Sequence, residues 1–291
     1  MAFEIFNFVV VIMFHSVYNN TDIIIRVGNC KTSVNQQNTN LSGGVFMPNY
    51  LDLFAGAGGL SEGFIRAGYE PIAHIEMDKA ACYTLKTRLA YKWLIEHQRS
   101  TIYTQYLSGK ITRDKFYATV PAELNSVLNY EISQDNLEEI FQRIDFLLNG
   151  RRLDLIVGGP PCQAYSLVGR ARDENKMVGD SRNYLYILYA EFLKKYQPQY
   201  FVFENVKGLL SAKDTDGKLY FDKMRSLFME CGYSIEYKLL NAKDYGILQN
   251  RPRIILIGKH GKHESFYPHI PTVTSNYTVE EIFKDLPKIK A

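Results

Sequence analysis

Residues 158 to 163 read Gly158-Gly159-Pro160-Pro161-Cys162-Gln163 and follow the apolar run Leu153-Asp154-Leu155-Ile156-Val157. A buried strand that runs into two glycines and two prolines presents the next side chain, a thiol, on a stiff loop at the sheet edge. Proline fixes φ and has no N–H to donate, so Pro160-Pro161 confines the backbone leading into Cys162. A thiol held in this way suits nucleophilic attack. A free cysteine is more often a small buried apolar residue, but the loop around Cys162 favours the nucleophile.

Other stretches carry chemistry of their own. Asp52-Leu53-Phe54-Ala55-Gly56-Ala57-Gly58-Gly59-Leu60 is a glycine turn between an apolar strand and a helix. Glycines let the backbone approach a ligand closely and aim helix N-terminal amides at an anionic group. A dinucleotide fingerprint wants glycine where this chain has Ser61, so a carboxylate fits the turn as well as a pyrophosphate does. Glu76 follows Gly56 by 20 residues, at the end of the next strand, where an acid can accept hydrogen bonds from ribose hydroxyls. In Phe201-Val202-Phe203-Glu204-Asn205-Val206, Glu204 sits at the end of an apolar strand, where an apolar pocket would raise its pKa. It could equally cap the next turn. Arg251 and Arg253, in Gln249-Asn250-Arg251-Pro252-Arg253, leave an extended segment on one side and suit two contacts to an anion, or two surface salt bridges.

Positioning these groups takes a sheet with helices between its strands, and the sequence supplies one. Strands are expected over 50–54, 71–77, a stretch ending at Val157, 200–203, 234–240 and 254–257. Helices are expected over 60–67, from an Asp78 N-cap towards His97, over 137–148, and where Leu185, Leu188, Tyr189, Phe192 and Tyr196 recur at helical spacing. This alternation predicts an open, mostly parallel α/β sheet with ligands at the carboxyl ends of its strands. Residues 99–135 are polar and tyrosine-rich without a clear period and read as an insertion. Residues 1–46 read as a poorly structured extension, with the folded unit starting near Met47.

The chain has 291 residues, 46% hydrophobic and 22% charged, which is the composition of a globular protein. Its net charge of +3 names no partner by itself. The run from Lys238 to Lys262 is locally basic and could face a phosphate backbone or solvent. Cys30, Cys82, Cys162 and Cys231 have no metal-ligand spacing, so no metal site is expected and a reduced, cytoplasmic setting is inferred. The apolar run 8–14 is too short to cross a membrane.

Taken together, the stretches 52–64 (DLFAGAGGLSEGF), Glu76, 158–166 (GGPPCQAYS), 203–206 (FENV) and 249–253 (QNRPR) resemble the C5-cytosine DNA methyltransferase family, in the family's order. The resemblance runs from about Met47 to Leu286. It implies a Rossmann-like S-adenosylmethionine-dependent methyltransferase fold. Phe54, Gly56, Gly58 and Pro160 would then line the cofactor pocket, Glu76 would hold the ribose and Met77 would cover the adenine. Cys162 would attack C6 of a cytosine flipped out of double-stranded DNA. Glu204 would meet the N3 side of the ring, and Arg251 and Arg253 would position the base and its phosphates. Asp135 is the candidate for the acid on the adenine amine. The family pattern continues past QNRPR with a target-recognition domain and further motifs that this sequence does not contain. A truncated or split enzyme is therefore expected, with a separate C-terminal polypeptide as a partner, in a restriction–modification setting. Methylation of transfer RNA and an inactive fragment are the alternative readings.

Overall fold

The computed structural model describes residues 47–120, 122–161, 184–273 and 278–284. The expectations for residues 1–46 and for Cys162 lie outside the described residues. Seven strands form one sheet: β1 (Asn49–Leu53), β2 (Glu70–Glu76), β3 (Val127–Asn129), β4 (Leu155–Gly158), β5 (Tyr200–Val206), β6 (Tyr233–Asn241) and β7 (Pro252–His260). Their spatial order is β3-β2-β1-β4-β5-β7-β6. The first five pair in parallel, and β7 runs antiparallel to both β5 and β6.

Because side chains alternate along a strand, each strand feeds two cores. Leu51 and Leu53 of β1, Phe201 and Phe203 of β5 and Leu256 of β7 face one layer of helices. That layer contains α5 (Leu137–Leu148), α6 (Leu185–Tyr196) and α7 (Tyr220–Glu230), whose Ile140, Ile144, Tyr189, Phe192, Met224 and Phe228 are fully or almost fully buried. Tyr50, Val157, Val202 and Ile257 face the other way, against Phe64 of α1 (Gly59–Arg66) and the returning segment with Ile270. The chain order reverses direction between β1 and β4. In an open α/β sheet such a switch opens a crevice at the carboxyl ends of the strands.

The stretch 99–135 differs from its sequence reading. It contains helices α3 (Ser100–Leu107) and α4 (Arg113–Tyr117), which fold onto α2 (Lys79–Glu96), then a 3-10 turn over Ala122–Ser126 and strand β3. Strand β3 pairs in parallel with β2 and is part of the sheet. Three residues are too few to show a period, so pairing with β2 and not local pattern makes this strand. Near the chain's end, α8 (Val279–Phe283) starts with a capping box between Thr278 and Glu281.

Close approach inside the sheet is visible at Gly258, which opposes Phe201 across β5 and β7. A Cβ built there would lie 1.9 Å from Phe201 Cε1, so the ring occupies the space a side chain would need. Gly258→Ala is therefore expected to cost roughly 1–3 kcal/mol or more. Chemical denaturation checks this, and an unchanged midpoint would contradict it.

Candidate active site

The turn after β1 is strained in an ordered way. Phe54 has φ +59°, Gly56 +55° and Gly58 +81°, three left-handed residues within five. The two glycines adopt this freely, whereas Phe54 does so at a cost of about 1 kcal/mol. Such a residue persists only where its surroundings hold it, and here they include Glu76. Glu76 Oε2 accepts from Gly56 N at 2.8 Å and Oε1 from Asp78 N at 2.7 Å. The carboxylate at the end of β2 thus staples the β1 turn to the start of α2. Asn129 at the end of β3 extends the staple, since its Nδ2 donates to the carbonyls of Glu76 and Met77 at 3.0 and 2.9 Å. Asp78 caps α2 through Ala81 N, as its sequence position predicts.

This turn can cradle a ligand. A Cβ added at Gly56 would meet nothing within 4 Å, so there is open space over the backbone. Each Glu76 oxygen uses one acceptor site on a backbone amide and has another for a hydroxyl donor. Met77 is exposed, an apolar side chain beside that carboxylate. These residues fit a nucleoside-bearing cofactor with an amino-acid end.

A second group forms at the ends of β4 and β5. A Cβ at Gly158 would lie 2.8 Å from Leu53 O, and one at Gly159 would lie 2.8 Å from Glu204 Oε2. The glycine pair lets the end of β4 pass tightly between β1 and β5. Glu204 lies within β5, two residues before its end, and not at the strand terminus. Its Oε1 accepts from Arg253 Nε of β7 at 2.8 Å. Burial pushes the Glu204 carboxyl up from its ordinary value; Arg253 and then Arg251 pull it down, and burial prevails. Buried Asn205 reaches back to the proline loop, Nδ2 donating to Pro160 O at 3.4 Å. The segment carrying Arg251 is held by Asn241, whose Oδ1 accepts from Arg251 N at 3.0 Å.

These groups share a cleft of ≈ 410 Å³ lined by Phe54, Gly159, Glu204, Ile247, Gln249 and Arg251 among others. Phe54 joins the glycine turn to the acid site. Pro160 is buried at the mouth of β4, and Cys162 follows two residues later, outside the described residues. Asp135 is exposed in the turn before α5, six residues past the end of β3.

Sequence reasoning passed over Asp52 and His74. Both are buried and face each other across β1 and β2, with Nδ1 and Oδ2 3.4 Å apart. Burial raises the Asp52 carboxyl and His74 lowers it. Asp52 lines the same cleft. An acid inside the apolar run Tyr50 to Phe54 was the available signal, because an unpaired charge is rarely buried. Among the described residues, no cluster of His, Cys, Asp or Glu could hold a metal ion, and Cys82 and Cys231 are free thiols. Among them also, no helix is long and apolar enough to cross a membrane.

The family model for C-5 cytosine-specific DNA methylase matches residues 49–122 and 123–290, nearly the whole span that carries the turn, the proline loop and the paired acid and arginine. The chain belongs to this methylase family. Among curated relatives, the type II methyltransferase M.Bpa9945I of Bacillus paralicheniformis is 34% identical over 274 residues, covering 82% of this chain and 61% of the relative. M.XorII of Xanthomonas oryzae pv. oryzae is 33% identical, covering 82% of this chain and 46% of its own length. The chain thus spans about half the length of the curated relatives it matches. A crystal structure described as a DNA modification methyltransferase encoded within an E. coli prophage aligns with a TM-score of 0.53 at 24% identity, covering 83% of this methylase chain and 56% of the other. The fold is the Rossmann-like α/β fold of methyltransferases, as the sequence implied.

The Glu204–Arg253 pair gives a pH-dependent expectation. Because the folded pKa of Glu204 is raised, the folded chain keeps a proton that the unfolded chain has lost. Stability from this group therefore falls as pH rises from the ordinary carboxylate value to the folded value. Arg253→Gln removes one of the two attractions and widens that window upward. Its stability deficit should be small in mild acid and reach roughly 2 kcal/mol or more at neutral pH. Denaturation across that range checks it; a deficit independent of pH would contradict the coupling.

Proposed function

We propose that this chain carries the catalytic face of a DNA cytosine-C5 methyltransferase of the type II modification kind, using S-adenosylmethionine. The observation that carries the reading is the raised, arginine-paired Glu204 one strand from the loop that leads into Cys162, in the cleft that also receives Phe54 of the glycine turn. Phe54, Gly56, Gly58 and Pro160 would hold the methionine end of the cofactor, Glu76 the ribose and Met77 one face of the adenine. The end of β3 leads directly into Tyr130 and Glu131 at the same edge, which favours Glu131 over Asp135 as the acid near the adenine amine. When bound, S-adenosylmethionine supplies an electrophilic methyl group.

Carbon 5 of cytosine is a poor nucleophile until the 5,6 double bond is broken. In this reading the Cys162 thiolate forms a bond to C6 of a base turned out of the duplex. The displaced electron pair makes C5 electron-rich, and Glu204, whose carboxyl is raised by burial, would hydrogen-bond at N3 and stabilise the charge developing on the ring. Arg253 pairs with Glu204, and both arginines would position the base and its phosphates. Once C5 is methylated it loses its proton, the 5,6 double bond re-forms and the thiolate leaves. Asn205 supports the loop through Pro160, and Gly159 leaves room for Glu204.

Duplex DNA containing 5-fluorocytosine tests this directly, because fluorine cannot leave as the C5 proton does. The chain, assayed alone and with a candidate downstream polypeptide, is expected to form a covalent adduct that Cys162→Ser abolishes. Lack of an adduct on DNA that the preparation binds would overturn the assignment. On the cofactor side, Glu76→Ala should weaken S-adenosylmethionine binding about tenfold or more by calorimetry. Unchanged affinity would remove Glu76 from the site.

A further inference from the structure

Charge in this protein is unevenly placed. Residues 79–118, comprising α2, α3 and α4, hold eight lysines and arginines (Lys79, Lys86, Arg88, Lys92, Arg99, Lys110, Arg113, Lys115) against Glu96 and Asp114, a net +6. The chain has 34 basic and 31 acidic residues, so the remainder has 26 against 29, a net −3. Within this arm only Arg88 and Lys92 are in ion pairs among the described residues, with Glu62 and Glu96. The other six form none there.

The charges stand on an ordered platform. Ala90, Leu94 and Phe116 form a small core of their own, enclosed by Trp93, Tyr103, Tyr106 and Tyr117. Tyr117 ties α4 to α2, its hydroxyl donating to Tyr83 O at 2.8 Å. The Arg113 guanidinium lies 3.5 Å from the centre of the Tyr83 ring, which orders it without neutralising it. Helix α2 starts three residues after Glu76, at the carboxyl edge of the sheet where the cleft opens. Lys79, Tyr83 and Lys86 follow one another along one stripe of its first two turns. At 1.5 Å per residue the two lysines are about 10 Å apart along the axis, a spacing that can meet neighbouring phosphates of a backbone.

We infer that the Lys79–Lys86–Arg113 face of this helical arm is a second DNA contact, binding the phosphodiester backbone of the duplex beside the catalytic cleft without reading its sequence. The inference rests on the reading of the chain as a DNA methyltransferase and adds a contact outside the cleft. Cations without an ion-pair partner among the described residues, next to this edge, would raise affinity and on-rate for any duplex.

The test uses the full chain and a labelled duplex of A·T pairs, which offers no cytosine and so does not depend on the chemistry at Cys162. Fluorescence anisotropy over a salt series gives the slope of log affinity against log salt. Lys79→Ala/Lys86→Ala should reduce that slope by about two, and adding Arg113→Ala by about three in total, because each lost phosphate contact removes about one. Affinity for S-adenosylmethionine and the melting temperature should stay at wild-type values in the double variant, which leaves the Arg113–Tyr83 contact in place. Lys194→Ala/Lys195→Ala on α6 is the control and should leave the slope unchanged. A wild-type slope in the double variant, or a wild-type chain whose duplex binding ignores salt, overturns the inference. A normal slope response without adduct formation on 5-fluorocytosine would instead count against the catalytic reading alone.

Discussion

The ion pair between Glu204 and Arg253 is the constraint on which the carboxyl edge of the sheet depends. It exists because β7 runs antiparallel beside β5, which places Arg253 opposite Val206 and lets its guanidinium reach back to Glu204. Partial burial makes this carboxyl costly to ionise; the arginines stabilise its charge, and burial still leaves its pKa raised. The close packing of β4 against β5 follows from the same need. Gly159 has no side chain because the Glu204 carboxylate occupies that volume, and Gly158 has none because Leu53 O does. Pro160, the next residue, is hydrogen-bonded through its carbonyl to Asn205, the neighbour of the acid in β5.

The other half of the edge is organised by Glu76. Its two oxygens fasten the β1 turn and the α2 start to the end of β2, and Asn129 brings β3 into the same arrangement. Phe54, in a backbone conformation that costs energy, links this staple to the cleft with Glu204. The switch in strand order between β1 and β4 opens the space in which both halves meet. The glycine turn and the acid are thus neighbours through topology, although about 150 residues separate Phe54 from Glu204 in the chain.

Much of this was legible in the sequence. Helices α5 and α6 start and stop where their apolar spacing predicts, because a helix with one buried face carries its own period. Asp78 announces α2 as a cap. Strand β3 was not legible, since three residues carry no pattern and β2 alone makes them a strand. Helix α7 was marked by Phe221, Met224 and Phe228 at helical spacing, a signal present between two stretches read for chemistry. The direct partnership of Arg253 with Glu204 is a pairing across 49 residues of chain that needs the reversed strand to be seen. The pairing of Asp52 with His74 was hidden for a similar reason: the acid stands out in its apolar strand, but only the β1–β2 register sets the histidine opposite it.

The most direct measurement is the titration of Glu204 itself, followed by carboxyl carbon NMR in chain labelled at glutamate and assigned by Glu204→Gln. The account predicts a Glu204 carboxyl that titrates above the ordinary glutamate range and moves further up in Arg253→Gln. A carboxyl titrating at its ordinary value, unmoved by loss of Arg253, would contradict it.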